Sequence, residues 1–286
     1  MKKSSFLLAS AVLLLALACG GRPETEPPPP AAAPEASREA EAPRREEPSG
    51  FSGLSWETRT LQRTESGCEE GACASVSLTY PEITAAPTGE AKRALNRFVR
   101  EIVLAPAIGE EPAATPEALA EEVLEEAERF RREVPDAPGG WALERTVKVV
   151  HHTPRVVSLE AAEYVFLGGA HPNSTVTYAS FDPATGRRLA LEDLILPGME
   201  ERLREIAEKR FREAREIPPE RDLAEEGFEF EGGAFALNDN FAVLESGLVF
   251  YYNPYEIAAY VMGPTEVKLS REDVAEIVQP DGPLGD

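Results

Sequence analysis

Gly247-Leu248-Val249-Phe250-Tyr251-Tyr252-Asn253-Pro254-Tyr255-Glu256-Ile257-Ala258-Ala259-Tyr260-Val261-Met262-Gly263 is the densest aromatic and β-branched run in the chain. Its first half reads as a strand, because β-branched and aromatic side chains fit a pleated, half-buried surface. Glu245-Ser246-Gly247 is a turn that joins it to an earlier strand from Phe241, so Phe241–Tyr252 is a hairpin. Pro254 has no amide hydrogen and ends the ladder, which makes Pro254-Tyr255-Glu256 a corner. Tyr251, Tyr252, Tyr255 and Tyr260 have two readings: core packing at alternate strand positions, or rings free to stack on a sugar. Tyr255 and Glu256 are the part of the run best placed for a binding surface.

Working outward, the segments on either side also read as strands and helices in separate blocks. Leu54–Leu61 and Ala74–Thr84 alternate as strands, the second with Val76, Leu78 and Tyr80 on one face. A helix follows Thr88-Gly89, with Leu95, Phe98, Val99, Ile102 and Val103 in one stripe. Thr115 caps another, with Pro116 in its first turn and Leu119, Val123, Ala127, Phe130 and Val134 inward. Trp141–Val150 and Val156–Leu167 form an antiparallel pair across Thr153-Pro154, followed by strands at Thr175–Phe181 and Arg187–Leu191. Asp182 and Gly186 bound the tight turn between the last two. Gly198–Ala214 is a helix, Phe228–Leu237 a strand, and Ser270 with Asp273 caps a short final helix. Few apolar strands are separated by helical crossovers. The expected class is therefore α+β, with mainly antiparallel sheets and three to four helices packed on them.

The 286-residue chain carries a formal charge of −22. That charge repels phosphate backbones, so nucleic acid is excluded as a partner held by net charge, and a basic protein would be attracted. Met1-Lys2-Lys3 followed by an apolar run from Phe6 to Leu17 reads as a signal peptide over 1–18, the run being too short to span a bilayer. Ala16-Leu17-Ala18-Cys19-Gly20 resembles a lipoprotein cleavage box, with Cys19 as the acylated residue; the alternative is an ordinary signal peptide. Residue 20 is not Asp, which resembles outer-membrane sorting in a Gram-negative cell. Residues 19–50, with Pro27–Pro30, Pro34, Pro43 and Pro48, read as an extended disordered tether. At about 3.1 Å per residue it would reach on the order of 90 Å. Two folded parts are expected beyond it, at 51–138 and 139–286, divided by Pro135–Gly140.

Three ordered pieces carry a family resemblance. They are Tyr164-Val165-Phe166-Leu167-Gly168-Gly169-Ala170-His171; then Phe181-Asp182, Thr185-Gly186-Arg187-Arg188-Leu189 and Leu191-Glu192-Asp193-Leu194; then Asn240-Phe241 through Phe250, Pro254–Ala258 and Gly263. Together they resemble the RsiV/PdaC-type extracytoplasmic domain of unknown function. That domain ends a lysozyme-sensing anti-sigma factor and forms a non-catalytic part of a peptidoglycan deacetylase. The likeness covers about residues 150–278, and the upstream strands and helices resemble the domain's usual companion. It implies a binding role at the cell envelope, for a cell-wall component or for a lysozyme-like basic protein. No sigma-binding segment, transmembrane helix or deacetylase catalytic domain accompanies it, so neither activity is carried over.

The remaining chemistry is sparse. Cys68 and Cys73 are the two thiols left once Cys19 is acylated, and in an oxidising compartment they form a disulfide that closes a short loop. His151 and His152 are neighbours on a strand and face opposite sides unless a bulge intervenes, so no metal is expected. His171 follows two glycines; it either bonds locally or sits at a binding rim with Tyr255 and Glu256. No nucleophile elbow or phosphate loop is present, and no cofactor is expected. The leading reading is a lipid-anchored, non-enzymatic envelope protein. An enzyme acting on wall glycans and a structural or assembly lipoprotein remain as alternatives.

Overall fold

The structure is a computed structural model that describes residues 53–68, 73–135 and 139–285. The signal peptide (1–18), Cys19 and the tether (19–50) expected from sequence lie outside the described residues. Among the described residues eight strands form two sheets, accompanied by four α-helices, as the α+β reading expects. The first sheet holds β1 (Ser55–Thr64), β2 (Ser75–Ala85), β3 (Ala142–His152), β4 (Val157–Phe166) and β5 (Asn173–Phe181), side by side in chain order. All neighbours are antiparallel except β2 and β3. A parallel pair needs a crossover that packs back on the sheet. Here α1 (Gly89–Val103) and α2 (Pro116–Glu133) supply it.

Both helices start where their sequences direct. The Thr88 and Thr115 hydroxyls each accept from a backbone amide of the first turn, those of Ala91 and Ala118. Leu95, Leu119 and Val123 are fully buried against Leu78, Leu143 and Leu159 of the sheet. Each such aliphatic side chain contributes roughly 1.5–3 kcal/mol by leaving water. The sheet runs straight through the boundary expected at 138/139, since β2 and β3 pair and share this core.

The second sheet contains β6 (Phe241–Leu244), β7 (Gly247–Tyr252) and β8 (Thr265–Ser270), all antiparallel. One face packs on α3 (Glu200–Ala214), and α4 (Arg271–Val274) follows β8 with the Ser270–Asp273 capping box in place. Leu203, Ala207 and Phe211 of α3 are buried against Leu248, Phe250, Tyr252 and Val267.

Two expected strands are not strands. Arg187–Leu191 makes a single bridge, Arg188 to Phe181, before a 3-10 turn at Leu191–Asp193. The Asp193 carboxylate takes the Arg187 guanidinium fork at 2.7 and 2.8 Å and the Ala190 amide at 2.8 Å, which favours the turn over a ladder. Phe228–Leu237 also makes one bridge, Phe228 to Ala258, because Gly232 and Gly233 turn the chain at φ of +82° and +78°. Its aromatic residues are used in the core instead. Conversely, β8 is absent from the sequence reading, although Thr265, Val267 and Leu269 alternate inward.

The sheets meet at the outer edge of β5, and side-chain amides replace the missing strand. Asn253 accepts from the Val176 amide at 2.8 Å and donates to the Val176 carbonyl at 3.0 Å. Asn240 accepts from the Tyr178 amide at 2.6 Å and donates to the carbonyls of Val176 and Tyr251, both at 2.8 Å. The edge of β5 is thus closed to pairing with other chains. Asn240→Ala leaves the Tyr178 amide without its acceptor and takes one of two donors from the carbonyls of Val176 and Tyr251, and the expected cost is about 2 kcal/mol, read from the urea midpoint.

Candidate functional site

Register places Thr64, Ser75, Ala142, Phe166 and Asn173 at one end of the first sheet, opposite the end where β1 begins at Ser55. At this far end the β4–β5 loop meets the chain that follows β7. Gly168 opens the loop at φ +76°, and a Cβ there would stand 2.7 Å from Trp141 Nε1 and 3.0 Å from Phe130 Cε1. Only glycine lets the loop lie this close to the tryptophan.

Three rings converge here. The Tyr260 hydroxyl donates to the Pro172 carbonyl at 2.7 Å, and His171 Nδ1 lies 2.9 Å from the same oxygen. That oxygen can only accept, so Nδ1 donates to it, and Nε2 lies 3.2 Å from the Tyr255 hydroxyl. The His171 and Tyr260 rings stack at 4.0 Å and 21°. Tyr255 lies 6.4 Å from His171 and 5.4 Å from Tyr260, each at 30°. His171 and Tyr255 therefore sit side by side as a plate over Tyr260. Tyr255 is 61% exposed and the neighbouring Val261 87% exposed.

Tyr255 has φ of +70°, a left-handed conformation that is unfavourable for a bulky side chain. The turn around it is braced by Glu256. One carboxylate oxygen accepts from Asn238 Nδ2 at 2.6 Å and the other from the Asn253 amide at 2.8 Å. Of the three rim residues expected from sequence, His171 and Tyr255 come together. Glu256 faces the turn and holds it. Tyr260, one of the four tyrosines with two readings, forms the floor. Tyr252 is core, with its hydroxyl on the Ala236 carbonyl at 2.7 Å, and Tyr251 packs edge-on near Tyr178.

The other expected sites are elsewhere. Cys68 and Cys73 are joined, with Cα atoms 5.4 Å apart. Beside them Glu65 accepts the Ala74 amide and both arms of Arg131, which hold its carboxyl below the usual range. The register slips between Val149 and His151, ahead of both histidines, and His151 and His152 then pair with Ser158 and Val157 in regular succession, so they face opposite sides of the sheet. Burial lowers the His151 pKa, and Arg271 lowers it further. Among the described residues no group of three His, Cys, Asp or Glu stands where it could hold a metal ion.

Residues 192–272 match the family model of the protein of unknown function DUF3298, and residues 68–174 match that of deacetylase PdaC. The peptidoglycan-N-acetylmuramic acid deacetylase PdaC of Bacillus subtilis is 22% identical over 161 residues, which is 54% of this chain and 34% of that protein. The chain thus spans about a third of the length of that curated relative. Two solved DUF3298 family proteins share the fold. The one from Pseudomonas aeruginosa has a TM-score of 0.57 at 21% identity, covering 81% of this chain and 96% of its own. The one from Bacteroides fragilis has a TM-score of 0.61 at 20% identity, covering 79% and 95%. The resemblance to the PdaC-type extracytoplasmic domain is found in these matches. His171 lies in the segment matched to PdaC, and Tyr255 and Tyr260 in the segment matched to DUF3298. The plate is therefore built across both.

Proposed function

We propose that the chain is a lipid-anchored cell-envelope protein that binds the glycan of the cell wall on the His171–Tyr255 plate, without turning it over. In this reading Cys19 carries the acyl chains and residues 19–50 hold the domain away from an extracytoplasmic membrane surface, the outer membrane in a Gram-negative cell. Acylation at about 0.8 kcal/mol per buried methylene makes that attachment firm. The plate lies at the end of the first sheet opposite Ser55.

The observation that carries this reading is the strained, exposed Tyr255. Backbone strain of order 1–3 kcal/mol persists where the surrounding structure over-determines it, commonly at ligand sites. An exposed aromatic residue held at φ +70° with its hydroxyl tied to His171 presents ring area with its polar atom already satisfied. The C–H face of a pyranose matches the electron-rich face of such a ring. The name of the B. subtilis relative, a peptidoglycan deacetylase, supports the choice of wall glycan.

Tyr255→Gly separates strain from binding. Glycine tolerates φ +70°, so unfolding stability is expected to hold or to rise by about 1 kcal/mol. Retention of the full chain on purified sacculi is expected to fall about tenfold, which corresponds to about 1.4 kcal/mol. Equal retention by variant and parent would remove the plate from the account. Acetate released from sacculi in the same incubation would favour the enzyme reading that the relative's name suggests. The charge of −22 supports a second ligand, a lysozyme-like basic protein.

A further inference from the structure

We propose that the chain forms a twofold dimer through the free edge of β1, the β1 strands of two copies running antiparallel and centred on Thr60. The partner is a second copy of this chain, and the inference does not depend on the glycan reading.

β1 is the first strand of the five-stranded sheet and pairs on one side, with β2. Its backbone shows which residues face the other side. The Glu65 amide donates to the Ala74 carbonyl at 2.9 Å, and the next residue of β2, Ser75, donates away from β1 to the Trp141 carbonyl at 2.8 Å. In an antiparallel ladder, bonded and non-bonded pairs alternate. Arg63, Leu61, Arg59 and Glu57 therefore bond to β2, and Thr64, Gln62, Thr60 and Thr58 turn their backbone groups outward. Among the described residues no strand meets that row, and Arg63 Nη1 donates to the Gln62 carbonyl there at 3.0 Å. Glu57–Thr60 and Gln62–Thr64 are exposed. The strand holds neither proline nor lysine, and its one bulge is at its start, between Ser55 and Trp56. The common devices that blunt an edge are thus missing here, whereas Asn240 and Asn253 close the edge of β5.

The side chains select the partner and the register. Centred on Thr60, Trp56–Thr64 of one copy pairs with the same residues of the second. Glu57 then stands opposite Arg63 of the second copy, twice by symmetry, while Thr60 meets Thr60 and Thr58 meets Gln62. Threonine pairs and opposite charges are favourable across strands, and like charges are not. Centring on Arg59 sets that arginine against itself, and centring on Leu61 sets Arg59 against Arg63. Centring on Thr58 runs the pairing past Ser55 and leaves Arg63 outside the strand. Arg63 is available for the pair: it has no carboxylate among the described residues, whereas Arg59 is held by Glu82 at 2.6 Å and Glu57 at 3.1 Å. In a chain of charge −22 two copies repel in general, and β1 is a segment with more arginine than glutamate.

One strand pair is a small interface, so the test traps it covalently. Residue 60 lies on the symmetry axis, with Cα atoms about 5.5 Å apart for a bonded pair, which a disulfide spans. Residue 58 of the two copies stands about 14 Å apart along the strands. The full chain carrying Thr60→Cys, oxidised and run without reductant, is expected to give a product of twice the chain mass, about tenfold more of it than Thr58→Cys gives. The parent chain, with Cys68 and Cys73 already joined, sets the background. Thr58→Cys mixed with Gln62→Cys is expected to crosslink one to the other. Adding Arg63→Glu to Thr60→Cys sets like charges opposite and is expected to cut the product about tenfold, and adding Glu57→Arg as well restores it. Equal product from Thr60→Cys and Thr58→Cys, or product that Arg63→Glu leaves unchanged, would overturn the dimer.

Discussion

Arg145→Ala is expected to lower the unfolding free energy by about 3–5 kcal/mol, the range for removing one partner of a buried charge network. Arg145 is the largest of the fully buried side chains, 2% exposed in the middle of β3. It donates to the Glu163 carboxylate at 2.6 Å, and to the carbonyls of Val103 at 3.0 Å and Ala105 at 2.6 Å. Those carbonyls belong to the end of α1, where the helix leaves its last acceptors unsatisfied and the macrodipole favours a cation. One side chain thus ties α1 to β3 and β4. Glu163 keeps partial access to water at 30% exposure, so most of the loss comes from the carbonyls left dry and unpaired. Arg145→Met fills the volume but supplies no donor, so it should recover only part of the loss. Urea unfolding of the three proteins reads the order directly. A change below about 1 kcal/mol for Arg145→Ala would mean that these bonds stabilise nothing beyond what water offers.

Phe211→Ala is expected to cost about 3–5 kcal/mol, as for other buried aromatic truncations. Phe211 is fully buried on α3 and touches four other rings: Phe228 at 5.1 Å, Phe235 at 5.3 Å, Phe230 at 5.5 Å and Tyr252 at 6.0 Å. Three of these lie in the irregular segment 228–235 and one at the end of β7. The cavity left by alanine would loosen that segment first, because no ladder holds it. Hydrogen exchange in 228–237 should therefore rise more than in β6 and β7. Phe211→Leu, which keeps most of the volume, should cost less than half as much.

These two residues also mark where the sequence is legible. The inward stripe of α3 is readable from its spacing, since Leu203, Ala207 and Phe211 recur at helical intervals and are buried. The caps at Thr88, Thr115 and Ser270 are readable because side-chain oxygens at those places have one local task. Arg145 shares the inward face of Leu143 and Val147, yet its burial is not readable, because nothing local shows what would accept its donors until the end of α1 is placed over it. Residues 228–237 mislead for a related reason: aromatic alternation promises a strand, and the rings go instead to Phe211. The two asparagines at 240 and 253 also give no periodic signal; their role as a substitute strand exists only once the second sheet is set against β5.

The plate was half legible. His171 and Tyr255 stood out as a histidine after a glycine pair and a tyrosine at a proline corner. Tyr260 gave no sign of lying beneath them, since their meeting depends on a contact across 88 residues between its hydroxyl and the Pro172 carbonyl. Glu256 looked like a partner because of its position in the sequence, but the geometry of the turn uses both its oxygens.

The central claim, that the chain holds wall glycan by its aromatic plate, is tested most directly by sedimenting the full chain with purified sacculi at about 0.15 M salt, where exposed charges more than roughly 8 Å apart are largely screened. The account predicts saturable retention that persists at this salt and is released by soluble glycan fragments. A chain that stays in the supernatant, or that sediments only at low salt and is not displaced by glycan, would contradict it.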